Sequence, residues 1–98
     1  MWIGWIEFDI LLGDVRSLKE KRSIVRPLLA DLSRRTEAAV AEVGANDLHR
    51  RTSIGMSVVA RDARHVRDVL ERAERMLAEE HPEVTLLASR RGLHSSDD

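Results

Sequence analysis

The sequence predicts an α+β domain in which two helices lie on one face of a four-stranded antiparallel sheet. Three observations predict it. The opening run from Trp2 to Leu12 has apolar residues at every second position. Two later windows, 17–35 and 62–77, repeat apolar residues at helical spacing. The remaining runs of strand character fall so that the elements follow in the order β-α-β-β-α-β. With 98 residues there is room for one core and no second.

In the first strand Ile6, Phe8, Ile10 and Leu12 alternate with Glu7 and Asp9, the period of a half-buried strand. The turn "GDVRS" follows, and Ser17 with Glu20 three residues later forms a capping box that starts a helix. On a wheel of about 100° per residue, Leu18, Val25, Leu28, Leu29 and Leu32 share one face, flanked by Ile24. Pro27 lies opposite that stripe, where it removes a backbone hydrogen bond at a cost of about 3 kcal/mol and bends the helix convex toward solvent. "AAVAEVGAND" predicts a short strand ending at Gly44. In "TSIGMSVVA" Ile54, Met56 and Val58 alternate with Ser53, Gly55 and Ser57, a third strand. Asp62 caps a second helix with the stripe Val66, Val69, Leu70, Ala73, Met76 and Leu77. "EVTLLASR" supplies the last strand, and residues 93–98 are expected to be a flexible C-terminal tail, leaving 1–92 as one domain. This order is the split βαβ, or ferredoxin-like, arrangement.

Composition names no partner, because the 34% of charged residues balance to a net charge of −1. The chain has no cysteine, which excludes disulfides, thiolate metal sites and cysteine nucleophiles. The apolar opening "MWIGWIEFDILL" carries Glu7 and Asp9, lacks a basic leader and is too short to span a bilayer. A cytoplasmic protein with no membrane partner is expected.

Catalytic chemistry finds no foothold. His49, His65, His81 and His94 show no metal-ligand spacing, and neither a Ser-His-Asp order nor a phosphate-cradling glycine loop occurs. Glu7 and Asp9 project to one face, but two carboxylates are too few for a calcium site. No catalytic residue, metal or cofactor is therefore assigned, and an enzyme is the least favoured class.

Two surfaces stand out instead. The start of the first helix and the loop between the second and third strands share one end of the fold, which brings Lys19, Lys21 and Arg22 toward Arg50 and Arg51, with Arg16 and His49 beside them. Cations next to the free N–H groups of a helix start suit an anion or a nucleic acid. Lys21 lies inside the apolar arc, so it either snorkels to solvent or holds a phosphate there. At the opposite end Arg34 and Arg35 join Arg61 and Arg64, with Arg90 and Arg91 close behind. The open face of the sheet carries Ile3, Trp5, Leu11 and Leu87, a partly apolar patch of the kind that mediates self-association. A single aromatic beside Glu7 and Asp9 argues against base stacking on that face.

"SLKEKR" after the first strand, then "AEV", then "DL" followed by "R" and "IG", together resemble the YlxP-like family of small bacterial proteins of unknown function, over about Ile3 to Val84. Ser17 to Arg22 stand in the first block, and Ala41, Glu42, Val43, Asp47 and Leu48 in the second; His49 stands where many relatives have Trp. The resemblance implies a ferredoxin-like fold. Because the family's genes often lie among translation and transcription factors, it also implies a link to RNA or the ribosome, but it brings no catalytic residue set. The leading expectation is thus an RNA- or ribosome-associated binding module using the basic helix start. Its rival is a homo-oligomeric scaffold or protein-interaction domain acting through the open sheet face.

Overall fold

The computed structural model describes residues 1–45 and 48–97. Six elements follow one another: β1 (Trp2–Leu11), α1 (Leu18–Arg35), β2 (Ala39–Gly44), β3 (Arg51–Ala60), α2 (Ala63–Glu80) and β4 (Thr85–Ser95). The strands form one antiparallel sheet in the order β2-β3-β1-β4, the ferredoxin-like arrangement. The even positions of β1 and β3 (Ile6, Phe8, Ile10, Ile54, Met56 and Val58) point at the helices and are buried. They meet Val25, Leu28 and Leu32 of α1 and Val66, Leu70, Ala73, Met76 and Leu77 of α2 in a single core. Burial of each large side chain contributes roughly 1.5–3 kcal/mol. The second helix comes close to β1 at Gly4, where an added Cβ would lie 2.1 Å from a Val66 methyl.

Both helix starts follow the sequence pattern, with one detail changed. The Ser17 hydroxyl accepts from the Glu20 N–H at 3.1 Å, and the Asp62 carboxylate accepts from the His65 N–H at 2.8 Å. The Glu20 carboxylate, however, accepts from the Arg16 N–H at 3.2 Å, one residue before the cap. Pro27 sits inside a continuous α1 on its exposed side. Leu18 shares the azimuth of Val25 but occupies the first helical position and is 47% exposed; Lys21 is the first residue of α1 to be buried.

The C-terminal residues differ from expectation. Rather than ending near residue 92, β4 runs on to Ser95, pairing Leu93 with Gly4, His94 with Ile3 and Ser95 with Trp2. Ser96 then donates to the Met1 carbonyl at 2.8 Å. The cause lies in β1, which begins at Trp2 and leaves its first residues needing a partner on that edge. A register shift in β4 opposite Asp9 and Ile10 leaves Leu87 with no β1 partner, and a second in β2 does the same to Val43 opposite β3.

Candidate functional site

At the start of α1 the basic motif is turned inward. Lys21 is wholly buried, and its ammonium donates to the Ala45 and Leu48 carbonyls, both at 2.7 Å, and lies 3.4 Å from a Glu42 oxygen. Ala45 holds the left-handed φ of +58°, and its carbonyl also accepts from the Leu48 N–H. The ammonium therefore fastens the turn between β2 and β3. Glu42 in turn accepts from Arg22 at 3.0 Å and from the Thr52 hydroxyl at 2.5 Å. Burial alone pushes the Glu42 carboxyl up, but the Thr52 hydroxyl, Arg22 and Lys21 outweigh it and hold it below the usual carboxylate range. Lys21 thus neither snorkels nor offers a phosphate any surface. Strand phase could have revealed this, because Val40 and Glu42 share the helix-facing side of β2 with the buried Thr52 across on β3.

The other cations of that end lie at the surface, and most have carboxylate partners. Arg50 and Arg16 both reach Asp14, at 3.2 and 3.3 Å, and Arg51 pairs with Asp9 at 2.5 Å. Lys19 is exposed and has no carboxylate within ion-pair distance among the described residues. Val15, Arg16, Leu48, His49, Arg50 and Arg51 line an open groove of 620 Å³ here. At the helix start the Ser17 hydroxyl takes up the Glu20 N–H and the Glu20 carboxylate lies beside it, so an anion arriving there would meet a negative charge. Asp47 of the family motif lies outside the described residues.

Arg90 and Arg91, expected behind the second basic cluster, go to separate partners. Arg90 and Arg91 are neighbours on a strand and so face opposite sides: Arg90 bonds Glu7 at 2.7 Å on the open face, and Arg91 reaches Glu74 of α2 at 3.3 Å. Arg34 and Arg35 both bond Asp31, and Arg35 also reaches Glu80 at 2.9 Å. Beside them the two ring nitrogens of His81 lie 2.8 Å from Asp31 and 2.8 Å from Glu83. Burial would lower the His81 pKa, yet the two carboxylates raise it above the ordinary imidazole value. The bond from His81 is likewise the main reason the Asp31 carboxyl is lowered. This cluster ties α1 to the end of α2.

On the open face Glu7 and Asp9 are taken up by Arg90 and Arg51, and no group of three or more His, Asp or Glu able to hold a metal occurs among the described residues. Trp5 does not stand up from this face. Its indole lies across β4 on Gly92, where an added Cβ would fall 2.4 Å from the ring nitrogen, and the Arg90 guanidinium sits 5.9 Å from the ring centroid. The small residues of β2 and β3 are thereby left as a trough of 310 Å³ between Trp5 and Val43, lined by Ala39, Ala41, Gly55 and Ser57 among others. Of the four residues expected to mediate self-association, Ile3 and Trp5 are half-buried and Leu11 is 36% exposed, while Leu87 is the extra residue of the β4 irregularity. Val43 and Val59, 53% and 57% exposed, add apolar surface that the sequence reading passed over.

No helix among the described residues is long and apolar enough to cross a membrane. Residues 3–91 match the model of a family described as "Protein of unknown function (DUF503)". The uncharacterised protein YlxP of Bacillus subtilis (strain 168) is 33% identical over 58 residues, 59% of this chain, and the match spans 63% of that relative's length. Among solved structures, SnoaB, a cofactor-independent oxygenase from Streptomyces nogalater, is similar with a TM-score of 0.50 at 14% identity over 97% of this chain and 92% of that one. Protein SO0527 from Shewanella oneidensis gives 0.43 at 12% identity over 93% of this chain and 88% of that one. At that identity the SnoaB likeness speaks for the fold alone.

Proposed function

This chain belongs to the DUF503 family of YlxP-like proteins, and we propose that it is a protein-docking module working through the open face of its sheet. The observation that carries this reading is the way the face disposes of its charge. Glu7 and Asp9 are matched by Arg90 and Arg51, which leaves the trough beside Trp5 with Val43 on its rim, and exposed Val59 in the next row. Apolar surface with neutralised charge gains from exclusion of water and offers a phosphate chain little. The test is capture from cell extract with the native chain and with Val43→Glu plus Val59→Glu, each with and without nuclease. Partners that survive nuclease and vanish with the double variant support the reading; partners equal for both chains sink it.

A second reading is favoured by the groove at the start of α1. There Arg16 and Arg50, with side chains 77% and 64% exposed, share the single carboxylate of Asp14, and exposed Lys19 lies in the following turn. A phosphate of RNA or of the ribosome could displace Asp14 and engage both arginines. Titration with labelled structured RNA over several salt concentrations tests it. Arg16→Ala with Arg50→Ala should flatten the salt slope by about two, and an unchanged slope removes this reading.

A further inference from the structure

Building on the docking reading above, we infer that the occupant of the open face is a second copy of this chain, packed face to face about a two-fold axis parallel to the strands. The registers arrange the face in rows. One row crosses the sheet as Ala39, Ser57, Trp5 and Gly92, and the next as Ala41, Gly55, Glu7 and Arg90. In these two rows the β2–β3 residues are small, with Val43 packed over Gly55 as the outer wall, while Trp5, Glu7 and Arg90 lie on the β1–β4 side, a trough beside a ridge. A two-fold axis along the strands keeps height and exchanges left for right. It lays the Trp5 ridge of each copy over the trough of the other in the same row, whereas an axis across the strands sets ridge on ridge. The first sets ridge against trough in these two rows, the complementary packing that a dense interface needs.

Charge and size agree with a copy as occupant. The face carries two carboxylates and two guanidiniums, Glu7 and Asp9 against Arg90 and Arg51, so it is electrically neutral and matches itself. A strongly acidic or basic partner would leave one sign unmatched. Four strands about 4.8 Å apart and ten residues at about 3.3 Å give a face of roughly 600 Å² in projection. That approaches the roughly 800 Å² per partner of a stable interface. Two sheets packed this way sit about 10 Å apart with strands within about 30° of alignment, and the interface is the same patch on both copies.

The experiment is sedimentation equilibrium of the full chain from micromolar to millimolar concentration, with melting curves as a control for folding. The native chain should dimerise. Ser57→Phe, which fills the trough from an exposed position without changing charge, should weaken the dimer by roughly tenfold or more. Leu18→Glu, at an exposed position on α1, should leave it unchanged. Because the chain has no cysteine, the axis can be tested as well. Chains carrying Ala41→Cys mixed with chains carrying Arg90→Cys should join through a short bis-maleimide far better than either variant alone. Preferential linking of like variants, or a dimer indifferent to Ser57→Phe, overturns the arrangement. A native chain that stays monomeric overturns the pairing of copies. The docking reading survives that result only if Val43→Glu with Val59→Glu still abolishes capture of another protein.

Discussion

Glu42 and Glu7 stand on the same sheet and each pairs with an arginine, yet they occupy different physical worlds. Glu42 faces the helices with 9% of its side chain exposed and is shared by Lys21, Arg22 and Thr52. Glu7 faces outward at 37% exposure and meets Arg90, itself 74% exposed. Water screens the second pair, so it contributes little to stability and can exchange partners. Glu42 has given up most of its hydration, though Arg22 has not, and it stays ionised because Thr52, Arg22 and Lys21 satisfy its oxygens. The same residue types thus hold the fold in one region and tune a surface in the other.

Removing one member of the inner network should produce the largest effect. Lys21→Met leaves the Ala45 and Leu48 carbonyls without their ammonium and Glu42 less compensated, and should cost about 3–5 kcal/mol in urea denaturation. Adding Glu42→Gln to that variant should recover part of the loss, because the buried charge goes with it. A loss below 1 kcal/mol, on the order of an exposed pair, would erase the contrast between the two regions.

The His81 cluster lies between those extremes and should show itself through pH. Its folded pKa is raised, so its contribution is complete below the unfolded imidazole pKa and is lost as pH rises through the folded value. Urea midpoints should therefore fall as pH climbs from about 6.5, and His81→Leu should flatten that limb. A decline of equal steepness in the variant would assign it to other groups.

A smaller effect is expected at the helix cap, where Ser17→Ala removes the acceptor for the Glu20 N–H and should cost about 1 kcal/mol. Melting should shift with no change in the association measured by sedimentation. The smallest effect belongs to the outer pair. Arg90→Ala should leave the urea midpoint nearly unchanged while altering association through the open face, and a large loss of stability would show that this pair resembles the inner one after all.

Local pattern determined the element order, the inward phase of β1 and β3, both helix caps and the exposed placement of Pro27, because those follow from alternation, helical spacing and hydrogen bonds within one turn. The open face was legible as well, since β1 alternates cleanly. Tertiary structure decided which partners the charges found. Lys21 belongs to the core because a carboxylate from another strand and two loop carbonyls converge on it, and Arg90 and Arg91 find their separate partners on β1 and on α2. It likewise decided that β4 continues to Ser95, where β1 needs a partner, and that Trp5 lies down over Gly92 and leaves a trough beside it. Each of these depends on groups distant in the chain meeting in space, and the desolvation or packing energy that selects them has no counterpart in any local stretch of residues.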